Sequence, residues 1–160
     1  MITAATSRPS EVNQDGVNLV SGPVRLRFVD VAPGIESRGI VPSHRFRVEV
    51  VGLDVGRLNV RARDTEHVIL YAGHLGFAIT EGHRGRGYAR LACLAVIPFV
   101  AAIRDEVVLT CDPDNTPSIR TIEALGAIFL DTRDVPPHDP QYDRGSRRKR
   151  RYRWVLLPVG

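Results

Sequence analysis

The chain has 160 residues, enough for one compact domain with a real core and too few for two. With 43% hydrophobic and 25% charged residues the composition is that of a soluble globular protein, and the longest uncharged stretch, Leu91–Ile103, contains Pro98 and falls short of the ~20 apolar residues of a membrane span. The formal charge of +4 is concentrated locally, with seven basic residues in Arg144–Arg153. Such a patch can meet nucleic acid, an acidic partner or a phosphorylated ligand. Tyr152 and Trp154 alternate with Arg151 and Arg153, as in a half-buried, solvated strand, so nucleic acid is not the expected partner.

Met1–Ser10 lacks the apolar run of a signal peptide, and Cys93 and Cys111 form no metal pattern. They read as buried thiols in a cytoplasmic protein with no metal. Residues 1–20 are polar and non-periodic and read as a flexible leader, with one domain expected over 21–160.

Val24–Val31 alternates apolar and polar positions and predicts a first strand. Val31–Ser43 is broken by proline and glycine and predicts a loop or a short helical turn. Residues 45–52 and 55–63 predict a second and third strand joined by a turn at Gly52-Leu53-Asp54. Val68–Thr80 predicts a fourth strand, marked by Gly73 and Gly76. Tyr88–Glu106 reads as a buried apolar helix bent at Pro98. Val107–Cys111 is the fifth strand, and residues 116–126 a second helix with Pro117 near its start and Gly126 as terminator. Residues 127–133 give a sixth strand, Val135–Ser146 a long loop, and 150–157 a seventh strand. The expected class is mixed α/β: a mostly antiparallel sheet of about seven strands, with the fourth and fifth parallel at its centre and flanked by helices.

The segment Thr80–Arg90, TEGHRGRGYAR, places a glycine-rich loop between a strand and a helix N-terminus, the general recipe for an anion site. A nucleoside-triphosphate loop would need Lys-Ser/Thr where Tyr88-Ala89 stand, and a dinucleotide loop would need glycine at Arg90. Both fail on chemistry.

Arg84-Gly85-Arg86-Gly87-Tyr88-Ala89 resembles the R/Q-x-x-G-x-G/A pyrophosphate loop of the GNAT superfamily of acetyl-CoA-dependent N-acetyltransferases. The surrounding GHLGFAITEGHRGRGYA is similar to the branch that acetylates ribosomal-protein N-termini and antibiotics. Asn115-x-x-Ser118, followed by Leu125-Gly126-Ala127, resembles the family's second signature. The resemblance implies acetyl-CoA as cosubstrate, its pyrophosphate held by amides of Arg84–Ala89 with Arg84 and Arg86 nearby. It also implies that the fourth and fifth strands splay apart, and that backbone groups of Ala78, Ile79 and Thr80 meet the pantetheine arm and acetyl oxygen. Asn115 and Ser118 would bond that arm, although both also favour helix capping.

The same resemblance puts a general base on the fourth strand, where the aligned residue is His74; the other reading of His74 is a histidine satisfied within the sheet. Glu81 is the second candidate, and His83 reads as a loop residue. Two departures stand out: Ile122 occupies the position of the family's usual general-acid tyrosine, and Val31–Ser43 is too short for the two helices that wall the acceptor site. Tyr142 or Tyr88 could replace the tyrosine. An open acceptor side suits a small-molecule amine less than a peptide, a protein terminus or a bulky molecule, and a second subunit, as in a homodimer, the leader or the Val135–Ser146 loop could complete it. The implied activity is acetyl transfer to a primary amine; the alternative is a module of the same fold that binds acyl-CoA or a partner without turnover.

Overall fold

The computed structural model describes residues 18–156. Most of the expected leader, and Leu157 of the expected last strand, lie outside the described residues. Leu19, however, is buried, and Val20–Ser21 forms a first short strand, β1, so the domain begins before residue 21.

A five-stranded antiparallel sheet has the order β1-β2-β3-β4-β5, with β2 at Val24–Ala32, β3 at Ser43–Val50, β4 at Leu53–Arg61 and β5 at Leu75–Ile79. Alternation in these strands sends Leu26, Phe46, Val48, Leu58 and Val60 inward, each no more than 5% exposed. It turns the arginines outward, where Arg45 grips Asp30 at 2.6 Å and Arg47 grips Asp54 at 2.7 Å. The β3–β4 hairpin turns at Val51-Gly52, one residue earlier than expected. Both have positive φ, 50° and 78°, as a tight two-residue turn requires, and Leu53 and Asp54 already belong to β4.

The inner face is covered by α1 (Tyr88–Ala95) and α2 (Ile97–Ala101), which Pro98 separates where a single bent helix was expected. Phe99 of α2 meets Phe46 edge-on at 5.1 Å between ring centroids. Burying side chains of this kind contributes about 1.5–3 kcal/mol each. Cys93 lies inside this layer, and burial pushes its thiol up to about 12; Cys111 is pushed up to about 11 for the same reason.

A second, three-stranded antiparallel sheet has the order β6-β8-β7, from Glu106–Cys111, Arg148–Val155 and Ile128–Asp134. Among the described residues every hydrogen-bonded ladder is antiparallel. The expected central parallel pair, β5 and β6, is instead joined by a backbone bond from His74 N–H to Val108 O at 2.8 Å, outside any ladder. The two strands are therefore free to separate towards their C-terminal ends. In the basic segment, Arg151 pairs with Asp131 at 2.8 Å, Lys149 with Asp112 at 2.9 Å, and Arg150 stacks over Phe129. These cations belong to a solvated strand with its own partners.

The expected fourth strand is mostly something else. His67–Ala72 forms a π-helical turn, and only Leu75–Ile79 is extended. Gly73, with φ 78°, joins the two; a Cβ there would sit 3.0 Å from Val108 O and 3.1 Å from Thr110 N. That close approach to β6 fixes where the turn ends. Between β2 and β3 stands a single helical turn, Glu36–Arg38, in place of the two helices seen in the resembled family. Helix α3 (Thr116–Ala124) follows β6, and α4 (Pro140–Asp143) lies in the β7–β8 connection. Among the described residues no helix is long and apolar enough to cross a membrane.

Candidate functional site

Where β5 and β6 part, a cleft of about 560 Å³ opens between the end of β5, the loop into α1 and the first turns of α3. Ala78, Ile79, Arg84, Gly85, Gly87, Tyr88, Ala89, Asn115 and Ser118 all line it, so most of the expected cofactor residues, drawn from three separate segments, meet in one place.

The loop works through its backbone. Gly85 and Gly87 have φ of 82° and 77°, conformations that L side chains adopt at a cost, and a Cβ on either would meet nothing within 4 Å. Glycine is thus required by conformation, and the space above the loop is open to a ligand. Gly87 is the N-cap of α1 and offers no side-chain cap; the first helical bond runs from Leu91 N–H to Gly87 O. The amides of Tyr88, Ala89 and Arg90 therefore lack intrahelical partners and sit at the positive end of the helix. Arg84 is anchored by Nε donating to Ile79 O at 2.8 Å, which keeps its charge at the cleft. Arg86 is exposed and does not line the cleft. A diphosphate fits this donor set.

The strand edge also has free donors. Arg61 N–H bonds His74 O and Thr80 N–H bonds Val55 O, so strand alternation turns the N–H and C=O of Phe77 and the N–H of Ile79 away from β4, towards the gap. Thr80 is not part of this edge: its amide and hydroxyl both bond Val55 O, at 2.9 and 3.2 Å. The available backbone groups thus lie one residue earlier than expected, at Phe77 and Ile79, with Ala78 directed to β4. On the opposite wall Asn115 caps α3, its Oδ1 accepting Ser118 N–H at 3.3 Å.

Neither expected base stands in the cleft. His74 is 1% exposed and both ring nitrogens are engaged: Nδ1 accepts Val108 N–H at 2.8 Å, and Nε2 donates to Asp64 Oδ1 at 2.7 Å. Burial holds it below the usual imidazole range. With its acceptor nitrogen occupied by a backbone amide, His74 ties β5 to β6 and does not fit the base role. Glu81 is exposed, in a short turn before the loop, and does not line the cleft. Ile122, at the expected tyrosine position, belongs to α3 and is fully buried. Tyr88 does line the cleft, whereas Tyr142 packs under Arg147, 3.5 Å from the guanidinium to the ring centre.

The sequence reading omitted Phe77, His83 as a lining residue, and Pro117, Arg120 and Thr121. Residues 117, 118, 120 and 121 form one face of α3, so helical spacing from Ser118 contains the signal for Arg120 and Thr121.

Comparison with known proteins agrees with this geometry. The acetyltransferase (GNAT) domain family matches residues 39–128. A GNAT-family acetyltransferase from Bacillus anthracis superimposes with a TM-score of 0.55 at 23% identity over 70% of this chain and 66% of that one. The microcin self-immunity acetyltransferase MccE, in complex with acetyl-CoA and AMP, gives 0.53 at 14% identity over 71% and 61%. RimL, a ribosomal alpha-N-protein acetyltransferase in complex with coenzyme A, gives 0.60 at 14% identity over 85% and 96%. The chain spans less than two thirds of the length of the first two, and at these identities the likeness is one of fold. No curated protein sequence matches the chain. With 90 of its 160 residues matched by the domain, and with the loop, the strand edge and the capped helix gathered at one cleft, the chain belongs to the GNAT acetyltransferase family.

Proposed function

We propose that the protein transfers an acetyl group from acetyl-CoA to a primary amine by direct attack of the amine on the thioester. The observation that carries this reading is the pairing of a partnerless helix N-terminus at Tyr88–Arg90 with a free strand edge at Phe77–Ile79 in one cleft. The loop amides and Arg84 would hold the pyrophosphate, and Arg120 stands opposite. Phe77 and Ile79 would pair with the pantetheine arm and the acetyl oxygen. An amide donor aimed at a developing oxyanion is worth about 2.7–4 kcal/mol. Asn115 keeps its capping role while Ser118 faces the cleft.

A second reading, a coenzyme-A-binding module with little turnover, draws on the burial of Ile122, which leaves no phenol at the usual proton-donor position. Acetyl-CoA mixed with the protein and a panel of amines and peptides separates the two, read as release of free thiol. Amine-dependent release at a catalytic rate supports the transferase. Tight acetyl-CoA binding without release across the panel supports the module.

A further inference from the structure

A second cleft, of about 280 Å³, lies where three connections meet: the shortened β2–β3 segment, the His67–Ala72 turn and the β7–β8 connection. Arg38, Gly39, Glu66, His67, His138 and Asp139 line it. The convergence is tied together by Thr65 Oγ1 donating to Gly39 O at 2.7 Å and by an Arg38–Asp143 ion pair at 2.9 Å.

Within this cleft is a buried pair. His67 is 8% and Asp139 3% exposed, and His67 Nδ1 lies 2.9 Å from Asp139 Oδ2 and 3.1 Å from Oδ1. Asp139 is itself fixed, because Oδ1 also accepts Gln141 N–H at 2.8 Å as the N-cap of α4. An ionised carboxylate only accepts, so the imidazole proton resides on Nδ1 and the lone pair on Nε2. Among the described residues Nε2 has no hydrogen-bond partner, and the ring lines the cleft. Arg38 is paired with Asp143, and Glu66 adds a carboxylate to the lining beside His67. Nearby, burial first and then the charge of Glu66 hold the Tyr71 phenol above its ordinary range.

We propose that this second cleft binds a primary ammonium, which donates to His67 Nε2 beside the Glu66 carboxylate, with Asp139 as the positioning residue for the ring.

The test is an imidazole ¹⁵N NMR titration of the full chain with trialanine amide, whose amine is free, beside its N-acetyl counterpart. The expected result is a saturable shift of the His67 Nε2 resonance by the free-amine peptide alone, with Glu66→Gln weakening the response up to about fivefold. Asp139→Asn keeps an acceptor for Gln141 N–H and is expected to change the tautomer signature of His67 and blunt the response; an unchanged signature would overturn the positioning role. No shift, or equal shifts from both peptides, would overturn the amine site. Acetyl-CoA is titrated in parallel by calorimetry, and His67→Gln is expected to leave its affinity within about twofold. Acetyl-CoA binding without an amine response refutes this inference alone. An amine response without acetyl-CoA binding refutes the transfer reading and leaves the cleft an amine site.

Discussion

Replacing Gly87 by aspartate and, separately, by asparagine isolates the charge in the phosphate loop. Gly87 sits at φ 77°, where most L residues pay about 1–2 kcal/mol, but Asn and Asp adopt this region more readily than others. A Cβ there meets nothing within 4 Å, so neither side chain is blocked. Both variants should fold with a loss of about 1 kcal/mol, or ~2–4 °C in Tm. They differ only in one negative charge beside the position assigned to the pyrophosphate. At a separation of about 4 Å, each like-charge contact costs about 1 kcal/mol in bulk water and about 4 kcal/mol at an effective dielectric constant near 20. The aspartate variant should therefore bind acetyl-CoA roughly fivefold to several hundredfold more weakly than the asparagine variant. Isothermal calorimetry at low and high salt measures this, and the gap should narrow as salt screens the exposed loop. Equal affinities for the two folded variants would refute a diphosphate site at Gly87.

Three further outcomes follow from the packing. Asn115→Ala removes the acceptor for Ser118 N–H and should cost about 1 kcal/mol in thermal unfolding; an unchanged Tm would remove the cap from the account. Ile122→Tyr forces a larger polar side chain into a fully buried site, and should cost about 1–3 kcal/mol without raising the rate of thiol release. A faster, equally stable variant would show that position 122 reaches the cleft. His74 has a folded-state pKa lowered by burial, so below about pH 6.5 the unfolded chain takes up a proton that the folded chain does not. Stability should fall as the pH drops from about 6.5 towards the depressed folded value, with His44 adding a loss of the same sign through its own burial. Urea unfolding at pH 7.5 and 5.5 measures the slope, which His74→Gln should flatten; stability rising on acidification would contradict the neutral, buried assignment.

Legibility in the sequence followed the range of the physics. The loop at Arg84–Ala89 is readable because positive φ at Gly85 and Gly87 and a helix start are local demands, written in adjacent residues. Asn115 and Ser118 are readable for the same reason, as a cap and its third residue. The strands β2 to β4 follow from alternation. Val68–Tyr71 misleads because a short apolar run fits a strand as well as a turn, and Val68 and Tyr71 are buried three residues apart in a π-helical turn. What decides between them is Gly73 packed against β6, a contact more than thirty residues away in sequence. From sequence His74 reads equally as a base on the fourth strand and as a histidine satisfied within the sheet, and only the tertiary structure reveals that a backbone amide occupies its acceptor nitrogen. The His67–Asp139 pair spans 72 residues and leaves no local pattern at all.

The most direct test of the central claim is a calorimetric titration of acetyl-CoA into the unmodified protein, with ¹H–¹⁵N spectra recorded on the same samples. The account predicts saturable one-to-one binding, with the largest shifts at the amides of Phe77, Ile79 and Gly85–Ala89. Absence of binding, or binding that leaves those amides unmoved while others shift, would contradict it.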